Sequence, residues 1–211
     1  MDPIAKSGYS LPNRLARITL LSVEELIGDA SMQAVLNLAH LSHLIENYPP
    51  ANLERGFDFS HYTALNIGLE EMYGERGGRG VALRAGRRTF QEALSNFGAL
   101  AGTGDAAFKV LPLGSKLKIA LPALAKIFSS ISDQETSLEE HSHHYEYIVT
   151  RNPVCWGRRG EARPVCFMQV GLLQEALHRI SGGREFRVDE ANCLACGDDA
   201  CRFILQKEPI S

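Results

Sequence analysis

The sequence predicts an α+β fold in which an N-terminal helical half packs on an antiparallel sheet. Three observations carry this. Apolar residues recur at helical spacing through most of residues 14–131, interrupted by glycine and proline. After Asp133 the chain changes to alternation and β-formers in SLEEHSHHYEYIVT, residues 137–150. Near the end, two short strand candidates flank a cysteine-rich loop. Helices first, then a sheet with one more helix, is the order of an α+β chain.

Residues 1–13 are expected to form an arm, because Gly8, Pro12 and small polar residues show no periodicity. Residues 14–211 are expected to form a single domain. Ser22 and Glu25 have capping-box spacing, which starts a helix that stops near Gly28. A second helix is predicted over 31–48. Its residues Val35, Leu36, Leu38, Ala39, Leu41, Leu44 and Ile45 are apolar more than halfway round, the pattern of a deeply buried helix. Pro49 and Pro50 end it. Ser60 caps a third helix over 60–73, and residues 74–80 are turn material. A fourth covers 81–97, with Leu83, Phe90, Leu94 and Phe97 on one side, before Gly98, Gly102 and Gly104 break the pattern. A fifth covers 115–131, where Leu117, Leu121, Leu124 and Phe128 recur at helical spacing and Pro122 should kink it. Residues 137–150 are predicted as one long strand. Pro164 suits the first turn of a helix that runs to about residue 180 and stops at Ser181-Gly182-Gly183. Strands over 185–190 and 201–206 close the chain as a hairpin with a long tip.

The chain has 211 residues, 45% of them hydrophobic, and 22 basic against 25 acidic side chains for a net charge of −3. That apolar content supports a real core and excludes disorder, collagen and a coiled-coil rod. Near-neutrality excludes a design built on a non-specific grip on nucleic acid. The apolar stretches are broken by Lys or His and none reaches the roughly 18–20 residues of a membrane span. The opening Met1-Asp2-Pro3 lacks a basic-then-apolar signal peptide, so a cytoplasmic location is expected. In that reducing setting five cysteines are free thiols, redox centres or metal ligands, not a disulfide framework.

Cys193, Cys196 and Cys201 share one loop, EANCLACGDDACRF, and Cys166 opens the preceding helix, where the helix N-terminus favours thiolate. A borderline-soft cation such as zinc takes four ligands from thiolate, imidazole or carboxylate, and a hairpin tip and the next packed helix can converge on one ion. Glu190 gives a Cys₃Glu site and Cys196 a Cys₄ site; spacing leaves both open. The Cys-x-x-Cys runs into Gly197-Asp198-Asp199, which is turn chemistry and not the helix start of a thioredoxin-like motif. The spacing fits no common ferredoxin run. Cys155, beside Trp156 in another segment, is read as a small buried hydrophobe.

NPVC at 152–155, RPVCFMQVGLLQEAL at 163–177 and the terminal REFRVDEANCLACGDDACRFIL resemble the 4-vinyl reductase domain family. The sharpest motifs lie within 148–206, and the helical half agrees less specifically. The family includes the sensory domains of phenol- and xylene-responsive bacterial transcription activators, small proteins of bacteriochlorophyll synthesis and hydrocarbon-binding proteins. Its fold looks like that of vesicle-tethering (TRAPP) subunits and of haem nitric-oxide sensors. Carried over residue by residue, the aromatic sensors' zinc ligands fall on Cys166, Glu190, Cys193 and Cys201, leaving Cys196 a bystander. The resemblance implies that the zinc is structural and steadies a ligand pocket, and that the protein is a homodimer.

Within such a fold, polar contacts to a ligand are expected from His141, His143, Tyr145 and Tyr147, which alternate onto one face of the predicted strand, and from Trp156. Residues 106–132 carry Lys109, Lys116, Lys118 and Lys126 and no acid. They suit a core helix with a lysine face, a membrane-surface helix or a lid. Arg76, Arg79, Arg84, Arg87 and Arg88 make a basic patch, either a solvated face or a site for an acidic partner. Gly102-x-Gly104-x-x-Ala107 fits the dinucleotide pattern formally, but it follows no strand, and no nicotinamide or flavin site is readable. The favoured function is binding of a hydrophobic small molecule, whether aromatic, lipid-like or tetrapyrrole, by a sensor or carrier that works through a protein partner. The competing classes are a vinyl reductase or accessory acting on a bacteriochlorophyll precursor, and an adaptor with an acyl-filled channel.

Overall fold

The computed structural model describes residues 4–97 and 106–210. The chain runs β1 (Ser10–Pro12), α1 (Asn13–Ile27), α2 (Asp29–Leu38), a 3₁₀ turn at Ser42–Leu44, β2 (Arg55–Asp58) and α3 (Phe59–Phe97). It continues with α4 (Ala106–Lys109), α5 (Leu113–Ile131), β3 (Glu135–Glu140), β4 (His144–Arg151), α6 (Phe167–Ser181), β5 (Val188–Asn192), a second 3₁₀ turn at Leu194–Cys196 and β6 (Cys201–Gln206). β1 and β2 pair as a small antiparallel ribbon, and the main sheet has the order β3-β4-β6-β5, antiparallel throughout. The α+β expectation stands.

One face of the main sheet is the core face. Tyr145, Tyr147 and Val149 of β4 alternate inward with Phe203 and Leu205 of β6, and all five are buried. Register puts Glu190 opposite Phe203 and Tyr147 opposite Phe203 on its other side, so Glu190 shares the inward row. α5 lies against β3, turning Leu117, Leu121, Leu124 and Phe128 into the core. α6 packs against α3, α5 and β5. Its crossing with α3 is close: a methyl group at Gly171 would meet the Leu83 carbonyl oxygen at 1.9 Å, and one at Gly86 the Met168 carbonyl oxygen at 2.0 Å. Only glycine lets these two backbones touch.

Several elements differ from the expectations. Residues 10–12 leave the supposed arm to pair with β2, and the Tyr9 ring packs edge-on against Trp156 at 5.1 Å between centroids. α1 starts at Asn13, so Ser22 lies buried in mid-helix and not at a cap. α2 ends at Leu38, not near 48. Asp58, not Ser60, caps α3: its Oδ1 accepts from the Ser60 N–H at 2.8 Å. The stretch 74–80 is not a loop; α3 breaks only at Gly74, whose φ of 70° leaves the helical region, and then resumes. Residues 137–150 form a hairpin, not one strand, because the chain reverses at 141–143 and the His141 N–H closes the turn on the His144 carbonyl at 2.9 Å. The glycines at 98, 102 and 104 lie outside the described residues. No helix among the described residues is long and apolar enough to cross a membrane.

Candidate metal centre and ligand cleft

The segment after β4 begins at Asn152, which is fully buried. Its Oδ1 accepts from the Val154 N–H at 2.9 Å and its Nδ2 donates to Cys166 Sγ at 3.5 Å. Asn152 thereby folds the post-β4 loop back onto the start of α6, with Cys155 inside the fold and Cys166 at the helix N-cap position. The β5–β6 tip is closed by Asp198, which accepts from the Cys193 N–H at 2.7 Å and from Asn192 Nδ2 at 3.1 Å. Gly197, at φ 98°, ends the 3₁₀ turn in the left-handed region. Cys201 then enters β6 opposite Val149.

These four cysteines meet. Cys155 Sγ lies 3.5 Å from Cys201 Sγ, Cys166 Sγ 3.8 Å from both Cys193 and Cys201, and Cys193 4.0 Å from Cys201. All four sulfurs lie within 4.8 Å of one another and all four residues are buried. Four sulfurs about 2.3 Å from a tetrahedral zinc would be about 3.8 Å apart, so the set fits a zinc-sized cation. The Leu194 N–H donates to Cys201 Sγ at 3.4 Å, which with Asn152 gives the cluster donors suited to thiolates.

The electrostatics follow from crowding. Hydrogen bonds from Cys155, Cys166 and Cys201 hold the Cys193 thiol far below its ordinary range, while burial pushes Cys166 well up. Without a cation the sulfurs share little negative charge and the rest keep protons; a divalent ion removes that constraint. Burial, then the nearby Cys193 and Cys201, raise the Glu190 carboxyl to about 9. Glu190 Oε2 accepts the Cys166 N–H at 2.7 Å, and Oε1 is buried with no hydrogen-bond partner.

Of the sequence-predicted ligands, the structure brings the sulfurs of Cys166, Cys193 and Cys201 together. Glu190 touches the Cys166 backbone but stands outside the mutually close donor set. Cys196 is also outside it: the 3₁₀ turn that bonds its N–H to the Cys193 carbonyl at 2.9 Å leaves it half-buried. Cys155, read as an inert hydrophobe, is the fourth member. The one local signal for it is the NPVC stretch itself, a cysteine just after a turn-forming Asn-Pro.

Cys155 also floors a surface cleft of about 500 Å³, with Ile4, Trp156 and Leu194 as apolar walls and Lys6, Thr150 and Arg159 as polar ones. Trp156 is thus placed at a cleft, held edge-on by Tyr9 and by Phe59 at 6.3 Å. The other expected ligand contacts separate. Tyr145 lines a second cleft with Leu113, Leu117 and Lys118, and Lys207 Nζ lies 4.8 Å from its ring centre. Tyr147 is wholly buried in the core. His141 and His143 are exposed in the hairpin turn and do not share the tyrosines' face. His141 Nε2 instead lies 3.3 Å from Glu146. Much of the arginine patch is internally paired: Arg87 bridges Glu175 and Glu185, Arg88 pairs with Glu25 and Glu92, and Arg79 stacks over Phe167.

Comparison with known proteins agrees with this geometry. Residues 145–207 match the 4-vinyl reductase domain family. No curated protein matches the sequence. Among solved structures, the Fe(II) unliganded H-NOX protein from K. algicida is similar over 95% of this chain and 98% of its own, at 14% identity and a TM-score of 0.59. An H-NOX protein from S. oneidensis in the Fe(II)NO ligation state is similar over 90% and 97%, at 16% identity and a TM-score of 0.53. The phenol-responsive sensory domain of the transcription activator PoxR is similar over 82% and 88%, at 18% identity and a TM-score of 0.46. At these identities the H-NOX likeness is one of fold.

Proposed function

We propose that this chain, which carries a 4-vinyl reductase domain over residues 145–207 on an H-NOX-like fold, is a small-molecule-binding sensor or carrier whose ligand cleft is steadied by a structural zinc. The observation that carries the reading is the shared wall. Cys155 belongs both to the buried thiol cluster and to the cleft lined by Trp156. A closed four-ligand shell has no open position for chemistry, so a metal there fixes shape. It would tie the post-β4 loop, the start of α6 and the β5–β6 tip into one unit, which holds Trp156 and Leu194 in place.

The cleft supports an apolar ligand with one polar or anionic end. Trp156, Ile4 and Leu194 supply apolar and aromatic surface, and Lys6 and Arg159 supply positive charge. Trp156 is the chain's single tryptophan, so its fluorescence reports on the cleft directly. Titration with phenol, palmitate and protoporphyrin is expected to give a saturable change in Trp156 emission with at least one of the three, and Trp156→Phe should weaken that binding when it is followed by calorimetry. If none of the three perturbs the emission or binds by calorimetry, the cleft is not the ligand site.

A further inference from the structure

We infer that Cys155 is a metal ligand, so that the shell is the four thiolates of Cys155, Cys166, Cys193 and Cys201, with Glu190 bracing it from outside. This rests on the metal-stapled reading above and departs from the ligand set that the family resemblance carries over.

Sulfurs about 2.3 Å from a tetrahedral ion stand about 3.8 Å apart. The Cys155–Cys201 separation of 3.5 Å is about as close to that value as the 3.8 and 4.0 Å separations among the other three. Cys155 therefore fills the fourth corner of the same tetrahedron. Cys155 is 2% exposed and the other three cysteines are fully buried, so water is kept from the set.

Glu190 is already engaged elsewhere. Its Oε2 takes the Cys166 N–H at 2.7 Å, which fixes the residue that starts α6. A carboxylate hydrogen-bonded to the backbone of a ligand is a familiar outer support of a metal site. Glu190 Oε1, buried and unpartnered, is the competing donor, and counting sulfurs separates the two sets.

The segment that carries the fourth thiol is also held in place. Asn152 donates to Cys166 Sγ and accepts from the Val154 N–H, so one side chain positions Cys155 against Cys166. A residue needed only to fill space would not require a buried amide on each side of the turn.

The test is X-ray absorption at the zinc edge on the zinc-loaded full-length chain. Four sulfur scatterers at about 2.3 Å, with no oxygen at about 2.0–2.2 Å, support the inference. Three sulfurs with one oxygen overturn it and leave the structural-metal reading intact. A chain that takes up no zinc overturns both. Zinc competition with a chelator adds a second arm. Cys155→Ala should lose more than the roughly 10–100-fold that removing an outer partner costs, and Glu190→Gln should stay within that range. The reverse order assigns the fourth position to Glu190. The sulfur count needs no variant, so a misfolded mutant does not decide the outcome.

Discussion

Cys155 Sγ sits 3.5 Å from Cys201 Sγ although the two residues are 46 positions apart, one in the loop after β4 and the other at the start of β6. A contact between buried thiols at that range makes their reactivity collective. With Cys155, Cys166, Cys193 and Cys201 all buried and Cys196 half-buried, the folded protein should show a single fast-reacting thiol. Cys196→Ser should abolish the fast phase in a thiol-reagent assay, and a chelator with denaturant should expose the remainder. Several fast thiols in the native chain would show that the cluster is open.

The α3–α6 crossing should tolerate nothing larger than glycine. An added methyl at Gly171 or Gly86 would fall about 2 Å from a backbone carbonyl oxygen, which no rotamer change relieves. Gly171→Ala and Gly86→Ala should each lower stability by about 1–3 kcal/mol or more, since overpacking here pushes two helices apart. For a chain of this size each kcal/mol is about 2–4 °C in Tm by calorimetry. An unchanged Tm in both variants would mean that the helices are not in backbone contact.

Arg158 anchors a buried ion-pair set. Its side chain is 7% exposed, and its guanidinium reaches Glu70 at 2.9 Å and Glu161 at 2.8 Å. Removing one partner of such a set leaves charge without compensation. Arg158→Ala should destabilise by about 3–5 kcal/mol, whereas Glu161→Gln, at the more exposed end, should cost much less. Chemical denaturation of the two variants checks the order.

Asp58 predicts a pH dependence. Burial alone would raise its pKa, but hydrogen bonds from Ser60 and Ser7 outweigh that and hold it at about 2, against 3.8 when unperturbed. A carboxylate whose folded pKa is depressed adds stability that is full above the unfolded value and is lost as pH falls through the folded one. The Tm gap between the native chain and Asp58→Asn should therefore be constant above about pH 4 and shrink towards pH 2. A gap that stays constant over that window would show that the carboxylate charge is not what caps α3.

The fold class is legible in the sequence because burial follows the apolar periodicity. In α5, residues 117, 121, 124 and 128 are the core face, as their spacing predicts. The hairpin within 137–150 is not legible, because its turn is His141-Ser142-His143, without the glycine, asparagine or proline that marks most reversals. The start of α1 is hidden for a similar reason: no side chain caps it, and Ser22 with Glu25 offers a false start. Residues 74–80 carry four glycines and look like a loop, yet only Gly74 leaves the helical region and tertiary packing holds the rest.

At the candidate centre, spacing draws attention to Cys166, Cys193 and Cys201 because hairpin tips and helix starts are local features. Cys155 escapes because its approach depends on the long-range return of the post-β4 loop through Asn152. The ligand-facing residues are the least legible. Alternation places His141 and His143 with Tyr145 and Tyr147, and the hairpin reversal separates them. Ile4 and Lys6 join Trp156 only because β1 pairs with β2 and brings the N-terminal segment alongside.

A metal-stapled ligand cleft is tested most directly by native mass spectrometry of the freshly purified full chain, with elemental analysis of the same sample. The expected result is one zinc per chain, lost only with unfolding, and an additional small apolar mass or its saturable uptake. Five freely titrating thiols, no bound metal and no retained small molecule would contradict it.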